Sequence, residues 1–532
     1  MDGYNDSKAV TICSRYNALK NDAMPWYDKF QDIAFYFAPR YATVTLTKGP
    51  GQTFEDNLYE EVGRKAADDA SSGFLGQMAP VGQRWFKLEP DWPDPSDEAK
   101  VWFQKATIKL EQLMSNSDFY NSIHEDIHQT LTFGTADLTV EEGDRAPFKF
   151  RSVPIGKYIF ENGADDMPDV VYQEFEWTAK QIRERFPEAK LHSAIEDLLK
   201  PNNTSGLTKK FKIIQCIGPR KGDVESFPAA PEKRAYEEIW IDSEHKTILA
   251  EGGYYEQPHI IGRYKLQTDT FWGYSIGMQT LPKVRQINDM EEARMVILEL
   301  MEDPPWLMPD NTSYQPDNRP RGITYFDANA QHLPQQQSLK NDIDHLIQDI
   351  EVKKQEIKQS WFLDVFRMLQ DMPNEKTATE ILALQEEKMV LFSSSLTLYL
   401  KEKLNRVIER CFAIAFRAGW FGNAPFEIVE RGEYRVVYTS RIALSAKAQE
   451  NVGIIQWLRT IREIAEIFPE AAAKIKIPET LGRIGENMGI DPDLLRSDEE
   501  VNQIVEQQRE MQQAQAMAQT AETTTKAISN VS

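Results

Sequence analysis

Apolar residues recur at intervals of three and four between Ser338 and Met372, which is the spacing of one face of an α-helix. The positions are Leu339, Ile343, Leu346, Ile350, Ile357, Trp361, Val365 and Met368. The other face is charged. Pro373 ends the predicted helix, because proline disfavours helical geometry in the residue before it and lacks a backbone N–H. One continuous amphipathic helix is therefore predicted up to Pro373.

A second long helix is predicted directly after a short loop. Thr377 and Glu380 have the spacing of a capping box, in which each side chain satisfies a backbone N–H of the first turn. No proline or glycine follows until Gly419. We expect a bend at Ser393, Ser394 and Ser395, because serine hydroxyls compete for helix carbonyls. Only residues 373–376 are left as the loop between the two helices.

The N-terminal third of the chain has the pattern of packed helices. An amphipathic helix with an aromatic face is predicted over the first forty residues, closed by Pro39. A helix with many small residues follows from about Asn57 to Met78. A short strand, Trp85 to Leu88, and two helices, Ser96 to Ser115 and Asp118 to Phe133, complete this part.

From Gly134 onward, short segments rich in β-branched and aromatic residues alternate with turn signals, which predicts strands. We place them near Ala136–Glu141, Phe148–Val153, Tyr158–Glu161, Val170–Trp177, Lys212–Ile217, Tyr236–Asp242, Thr247–Gly252 and His259–Lys265. A helix from Thr178 to Phe186 interrupts them. The predicted class is α+β, mainly α, with an antiparallel sheet.

The remainder is predicted to be helical around one insert. A helix runs from Pro282 to about Met301, and residues 303–337 follow with six prolines. Together with the helix before Pro373, this predicts a two-helix stalk with a compact tip. After Gly419 we expect a strand or hairpin at Phe426–Tyr438. Helices at Ala446–Phe468 and Ile477–Met488 come next, then a Gln-rich tail that is helical to about Thr520.

Composition narrows the function. The 532 residues carry a net charge of −22, so general electrostatic adhesion to nucleic acid or to an anionic membrane is not expected. The three cysteines lie far apart, which fits a reducing compartment and neither a disulfide framework nor a zinc cluster. No signal peptide or membrane-spanning run is evident, so we expect a soluble protein that is not exported by the usual route.

Two short motifs match enzyme signatures. His124, Glu125 and His128 spell H-E-x-x-H, which on a helix can bind Zn²⁺. No third ligand follows, so we interpret them as ordinary residues of a solvated helix face and keep a metallopeptidase as the least favoured alternative. Gly273, Ser275 and Gly277 match the G-x-S-x-G nucleophile elbow.

The elbow interpretation requires a buried strand before the serine and a helix directly after it. The preceding segment is polar, and Pro282 is expected to delay the helix. We therefore interpret this motif as a glycine-rich hinge between the sheet and the stalk. No P-loop motif G-x-x-x-x-G-K-[ST] is present, so nucleotide hydrolysis is not expected. The sequence predicts neither an enzyme nor a cofactor.

Five short segments and their order along the chain point to a known family: Leu19–Asp22 with Pro25 and Tyr27, Gly76–Met78 followed by Trp85, Phe133–Ala136, Trp272–Ser275, and Thr377–Ile381 after its loop. In these residues and in the order of its elements the chain resembles the portal, or head-to-tail connector, proteins of short-tailed double-stranded DNA bacteriophages (podoviruses). The resemblance extends from about Ile12 to Gln519.

The resemblance implies a homo-oligomeric ring, normally of twelve subunits, around a channel for the genome. The implied divisions are a wing (1–277), a first stem helix (278–302), a clip (303–337), a second stem helix (338–371) and a tunnel loop (372–376). They continue with a long kinked helix returning through the wing (377–440), a crown (441–498) and a C-terminal helical barrel and tail (499–532). The clip is short and Pro-rich, with little evident strand.

The resemblance also implies which residues would meet partners. Expected in the DNA channel are Pro373, Asn374, Glu375 and Lys376 of the loop and Lys353, Lys354 and Lys358 of the stem. Expected at the clip, for docking the large terminase and later the tail adaptor or nozzle proteins, are Trp306, Tyr314, Arg319, Arg321 and Tyr325. Capsid, scaffold and core proteins are further expected partners. No membrane is expected.

The function that follows is a channel at one capsid vertex for packaging, retaining and ejecting double-stranded DNA. The protein would be assembled in the host cytoplasm and located in the virion. The alternative is a helical scaffold or adaptor protein that uses the same stalk without a DNA channel.

Overall fold

The computed structural model describes residues 2–302 apart from short loop segments (48, 50, 53, 55–56, 144–145, 165, 201–207 and 223–229). It also describes the pairs 306–307 and 335–336, residues 343–367 and 397–439, and residues 454, 457–462 and 480. The predicted channel loop, the bend at Ser393–Ser395, most of the clip, and most of the crown and tail therefore lie outside the described residues.

The N-terminal helices form one side of the main core. They are α1 (Asp2–Phe37), α2 (Val62–Met78), α3 (Asp97–Ser115) and α4 (Phe119–Phe133), with a short 3₁₀ turn at Pro39–Tyr41. Ser96 caps α3 by accepting from the backbone N–H of Ala99, and Gly134 ends α4 in the left-handed conformation that glycine favours. The prediction for these helices is confirmed, except that α2 begins at Val62 instead of Asn57.

Two antiparallel sheets follow α4. The first has the order β3 (Phe148–Val153), β2 (Thr135–Glu142), β9 (His259–Arg263). The second has the order β4 (Tyr158–Asn162), β5 (Pro168–Thr178), β6 (Lys210–Pro219), β7 (Tyr236–Asp242), β8 (Thr247–Tyr254). The predicted α+β class with antiparallel pairing is confirmed, and the strand bounds agree with the prediction to within a few residues.

A small satellite domain lies on the second sheet. Helices α5 (Ala179–Arg185) and α6 (Ser193–Leu198) cover a separate apolar cluster that includes Phe211 and Trp240. Thr178 and Gln181 form the capping box of α5. Strand alternation explains the division, since Phe211 and Ile213 face this cluster whereas Ile214 belongs to the main core.

The two stem helices pack against each other. They are α7 (Ile276–Glu302) and α8 (Ile343–Ser360), and at the start of the clip β10 (Trp306–Leu307) pairs antiparallel with β11 (Gln335–Gln336). The prediction that Pro282 delays the first stem helix is wrong, because α7 begins at Ile276 and includes Pro282. Ser275 caps the helix, and burial of Leu281 and Val284 offsets the hydrogen bond that proline cannot make.

The second stem helix ends earlier than predicted. After Ser360 the chain turns at Trp361 and Phe362, and α9 (Leu363–Arg367) starts in a new direction. Phe362 has φ of 58°, which is rare for an aromatic residue. Trp361 is fully buried, with its indole N–H 3.2 Å from Thr280 Oγ1. The prediction of one continuous helix is therefore wrong, because the spacing of apolar residues does not reveal a single residue in the left-handed conformation.

The returning helix passes through the main core. From residue 397 it continues through a π-turn (Leu400–Leu404) into α10 (Asn405–Arg417), and Gly419 follows at φ 74° where the end was predicted. The predicted strand or hairpin at 426–438 is half wrong. Its first part is helix α11 (Phe426–Arg431), closed by left-handed Gly432, and only β12 (Tyr434–Tyr438) is a strand. It pairs with β1 (Phe86–Pro90).

Candidate functional site

Two features carry the candidate function: the stem, formed by α7 and α8, and the two described ends of residues 368–396, which we call the channel segment after the channel loop predicted within it. The predicted channel loop, residues 372–376, lies inside that segment. Its residues Pro373, Asn374, Glu375 and Lys376 are outside the described chain, so their channel role stays a prediction. The same holds for Tyr314, Arg319, Arg321 and Tyr325 of the clip. Trp306 lies in β10 at the base of the clip.

Lys354 joins the two stem helices to the segment before α2. Its ammonium nitrogen lies 2.5 Å from Glu60 Oε2 and 3.0 Å from Glu291 Oε1. Burial lowers the pKa of Lys354, but the two carboxylates outweigh it and leave this pKa above its ordinary value. Lys354 therefore pairs with two carboxylates and lies at the interface between α7 and α8.

Glu291 accepts hydrogen bonds from two basic side chains, Arg294 and Lys354. Burial raises the pKa of Glu291, but hydrogen bonds from Arg294 and Lys354 outweigh it and hold this pKa below its usual range. Next to it, Asn288 accepts from the backbone N–H of Tyr59 at 2.8 Å. These contacts connect the segment before α2 to the first stem helix.

The other two stem lysines have different surroundings. Lys353 lies 3.4 Å from Asp349, one turn earlier on the same helix. Lys358 makes no ion pair with the part of the chain that the structure describes. Because an α-helix turns by about 100° per residue, Lys353 and Lys358 project about 140° apart, on either side of the buried stripe of Ile350 and Ile357.

The distal part of the stem exposes apolar side chains. On α7 they are Met295, Val296, Leu298, Leu300 and Met301, and on α8 they are Ile347 and Val352. The exposed fractions lie between 36% and 56%. Isolated apolar side chains are common on protein surfaces, but a group along one helical hairpin indicates a surface that another molecule covers.

The N-terminal end of the channel segment lies on α2. Phe366 of α9 packs over Gly73, where a Cβ atom would lie 2.6 Å from Cδ2 of the phenyl ring. This contact gives a reason for the small residues of α2, because only glycine leaves room for the ring. The sequence showed that α2 is suited to close packing but not which element packs there.

The C-terminal end of the channel segment is held by buried charge. Tyr399 donates to Asp126 Oδ2 at 2.9 Å, and Lys403 donates to Asp126 Oδ1 and to the carbonyl of Ile260, each at 2.6 Å. Glu402, also in the π-turn, accepts from the backbone and guanidinium of Arg263. Sequence analysis missed this cluster. The available signal was Lys403, which shares a helical face with the apolar residues Tyr399, Val407 and Cys411.

The H-E-x-x-H residues have structural partners. His124 Nε2 lies 3.2 Å from Ser72 Oγ, Glu125 pairs with Arg40 and Tyr41, and His128 Nε2 lies 3.3 Å from Asp68 Oδ1. The predicted solvated face is wrong for His128, which is 1% exposed, because α2 packs over it. Within the described ranges, no group of three or more His, Cys, Asp or Glu side chains is arranged to hold a metal ion.

The G-x-S-x-G serine serves as a helix cap. Ser275 Oγ donates to the carbonyl of Thr132 and accepts from the backbone N–H of Met278, both at 2.8 Å. Gly134 and Gly273 lie back to back, with no room for a Cβ atom on either. The interpretation as a glycine-rich junction between sheet and stem agrees with this geometry, although the helix does follow the serine directly.

Comparison with known proteins bears on the resemblance that the sequence predicted. Two curated relatives are each 24% identical: the "Probable portal protein" of Bordetella phage BPP-1, over 528 residues, and the "Portal protein" of Salmonella phage epsilon15, over 520 residues. The alignments cover 97% and 94% of this chain and 94% and 91% of the relatives.

A chain from the virion of a native gene transfer agent particle matches with 11% identity and a TM-score of 0.32, over 76% of this chain and 88% of that one, which is too low to carry an argument. No helix among residues placed by the structure is long and apolar enough to cross a membrane. A family model described as "Bacteriophage head to tail connecting protein" matches residues 9–495. Because that match spans most of the sequence, the chain belongs to the family of bacteriophage head-to-tail connecting proteins, as its sequence predicted.

Proposed function

We propose that this chain is a portal protein: a homo-oligomeric ring, normally of twelve subunits, at one capsid vertex. Double-stranded DNA would pass through its central channel during packaging and ejection and would be retained there in between. Membership of the head-to-tail connecting family and the portal proteins of two phages support this proposal. The role is structural and needs no catalytic residue or cofactor.

The observation that carries the proposal is the apolar tip of α7. At about 100° per residue, Met295, Val296, Leu298, Leu300 and Met301 are distributed around the whole circumference of the helix. A helix that is apolar all round is stable in water only when it is covered on several sides. Helix α8 covers one side, and further copies of the chain would cover the remaining directions.

A ring satisfies this requirement. In a closed ring each subunit uses one surface for the neighbour on its left and a different surface for the neighbour on its right. The apolar positions of α7 and those of α8, Ile347 and Val352, would supply two such surfaces. The net charge of −22 per subunit would give the channel wall few sites that grip phosphate, which suits passage of DNA.

Specific residues are assigned within this proposal. Lys376, with Pro373, Asn374 and Glu375, would form a collar that faces DNA. Lys353 and Lys358 of the stem would offer single ammonium groups to phosphates without sequence preference. Lys354 is not available for this role while it holds Glu60 and Glu291.

The clip would provide the docking surface for other proteins. Trp306, Tyr314, Arg319, Arg321 and Tyr325 would contact the large terminase during packaging and the tail adaptor or nozzle proteins afterwards. Capsid and scaffold or core proteins would contact the assembled ring, which would form in the host cytoplasm and remain in the virion.

The experiment replaces Val296 and Leu298 together by glutamate and compares the variant with the wild-type protein by mass photometry and negative-stain microscopy. Val81→Glu is the matched control, because Val81 is 70% exposed in the loop after α2. We expect closed rings with a central hole for the wild type and the control, and monomers with unchanged circular dichroism for the double variant.

Two outcomes would contradict the proposal. If the wild-type protein forms no closed ring with a central hole, the scaffold or adaptor alternative is favoured. If the double variant forms rings as readily as the wild type, the apolar tip of α7 is not the subunit interface.

A further inference from the structure

The two described ends of the channel segment meet at neighbouring residues of one helix. Phe366, two residues before the segment, packs over Gly73 of α2. Tyr399, three residues after it, contacts the ring of Phe74 with centroids 5.8 Å apart in an edge-to-face arrangement. Gly73 and Phe74 are adjacent, so α2 fixes the position of both ends.

The contact at Gly73 depends on the absence of a side chain. A Cβ atom at this position would lie 2.6 Å from Cδ2 and 2.8 Å from Cδ1 of Phe366, closer than any real carbon contact. Gly76, one turn later on α2, has no atom within 4 Å of its corresponding Cβ position. The requirement for glycine is therefore specific to the position under Phe366.

A buried charge pair stabilises the side chain that contacts Phe74. Tyr399 is fully buried, and its hydroxyl shares the carboxylate of Asp126 with Lys403. A buried charge pair is difficult to displace, since separating its members leaves an unpaired charge in the protein interior. Phe366 is half-buried whereas Tyr399 is fully buried, so the end at Phe366 is the more exposed of the two.

We propose that Gly73 is a positioning residue for the channel segment: by seating Phe366 it fixes the chain just before residues 368–396, while Phe74 and Tyr399 fix the chain just after them. This inference deepens the proposed function and rests on it for the assignment of residues 372–376 to the channel. The seat itself, Gly73 with Phe366, is defined by packing alone.

The test compares Gly73→Ala with the matched control Gly76→Ala, both as full-length rings, by hydrogen exchange of peptides from residues 368–396. Alanine at 73 must displace Phe366, and we expect exchange in this segment to become about tenfold faster, equivalent to about 1.4 kcal/mol of lost protection. Alanine at 76 meets open space and should leave exchange unchanged.

Phe366→Ala is the second variant, because it removes the ring without placing any atom at position 73. It should reproduce the effect of Gly73→Ala, and the double variant should be no faster than either single one, since both changes remove the same contact. Unchanged exchange in both single variants would overturn the inference. So would faster exchange spread evenly over the wing, because this would show general destabilisation.

Retention of DNA in filled heads separates the inference from the proposed function. Faster exchange of the segment together with leakage of DNA supports both. Faster exchange with normal retention supports the seat and contradicts the channel role of residues 372–376. Unchanged exchange would overturn the positioning role of Gly73. The portal proposal would then be decided by the ring-formation experiment alone.

Discussion

Lys403 and Asp126 are both completely buried, and the ammonium nitrogen of the one lies 2.6 Å from a carboxylate oxygen of the other. They join the π-turn before α10 to α4. Two further hydrogen bonds support the pair: Tyr399 donates to the second carboxylate oxygen, and the carbonyl of Ile260 accepts from Lys403. The pair therefore holds the π-turn against α4.

The first prediction concerns this pair. Lys403→Met should lower the free energy of unfolding by about 3–5 kcal/mol, because it leaves the Asp126 charge buried without its partner. Combining it with Asp126→Leu should cost much less than the sum of the two single changes, since both charges are then gone. Urea unfolding measures all three variants.

Lys401→Met is the control for the first prediction. Lys401 is exposed on the same π-turn, so this change should stay within about 0.5 kcal/mol of wild type. Additive effects of Lys403→Met and Asp126→Leu would show that the pair does not act as a unit.

The elements that the sequence predicted well are those whose signal is local. Strand β3 and strand β7 have the predicted bounds, because alternating residues and turn signals define them without help from the rest of the chain. The end of α10 was also predictable, since Gly419 adopts the left-handed conformation. Local rules of this kind identify elements but not their partners.

The elements that the sequence predicted poorly depend on distant contacts. Pro282 lies inside α7 because burial of that helix outweighs the proline, and α8 ends at Ser360 because Trp361 reaches Thr280, eighty-one positions away in sequence. Lys403 and Asp126 are 277 residues apart. No spacing rule connects such pairs, so the buried cluster and the seat of Phe366 on Gly73 required the fold.

The second prediction concerns Glu111 on α3. Its side chain is mostly buried, Arg84 is 3.8 Å away, and Oε1 has no hydrogen-bond partner among the described residues. Burial raises the pKa of Glu111 to about 7. Because this pKa is higher in the folded than in the unfolded state, the folded state binds more protons between about pH 4.5 and pH 7. Stability should therefore decrease as pH rises through this range.

Glu111→Gln should remove that dependence and stabilise the protein at pH 8 by about 1–3 kcal/mol, since no charge is then buried. Thermal unfolding at pH 5 and pH 8 checks it. Glu98→Gln, at an exposed position of the same helix, should change stability by less than about 0.5 kcal/mol. Equal destabilisation of Glu111→Gln at both pH values would contradict the assignment.

The third prediction concerns Ser275. Since its hydroxyl both caps α7 and donates to Thr132, Ser275→Ala should lower the free energy of unfolding by about 1–2 kcal/mol. The side chain is 1% exposed, so a fluorophosphonate probe for reactive serines should not label the wild-type protein. Labelling that disappears in Ser275→Ala would instead favour the nucleophile elbow.

The last prediction separates the stem lysines. Lys354→Gln removes the positive partner of Glu60 and Glu291, and it should lower the free energy of unfolding by about 2 kcal/mol, the typical contribution of a charge-assisted hydrogen bond. Lys358→Gln removes no ion pair within the described residues and should leave stability within about 0.5 kcal/mol of wild type. Thermal unfolding of the two variants measures this difference.

For DNA retention we expect the opposite order, with Lys358 more important than Lys354. If Lys358 faces the channel, Lys358→Gln should increase leakage of DNA from filled heads, and the increase should shrink as salt is raised, because counter-ions then screen the remaining charges. Lys358→Arg should retain DNA as well as the wild type, since a point charge without sequence preference needs only its sign. Retention by Lys358→Gln equal to that of the wild type at low salt would place Lys358 outside the channel and leave Lys353 as the stem lysine to test next.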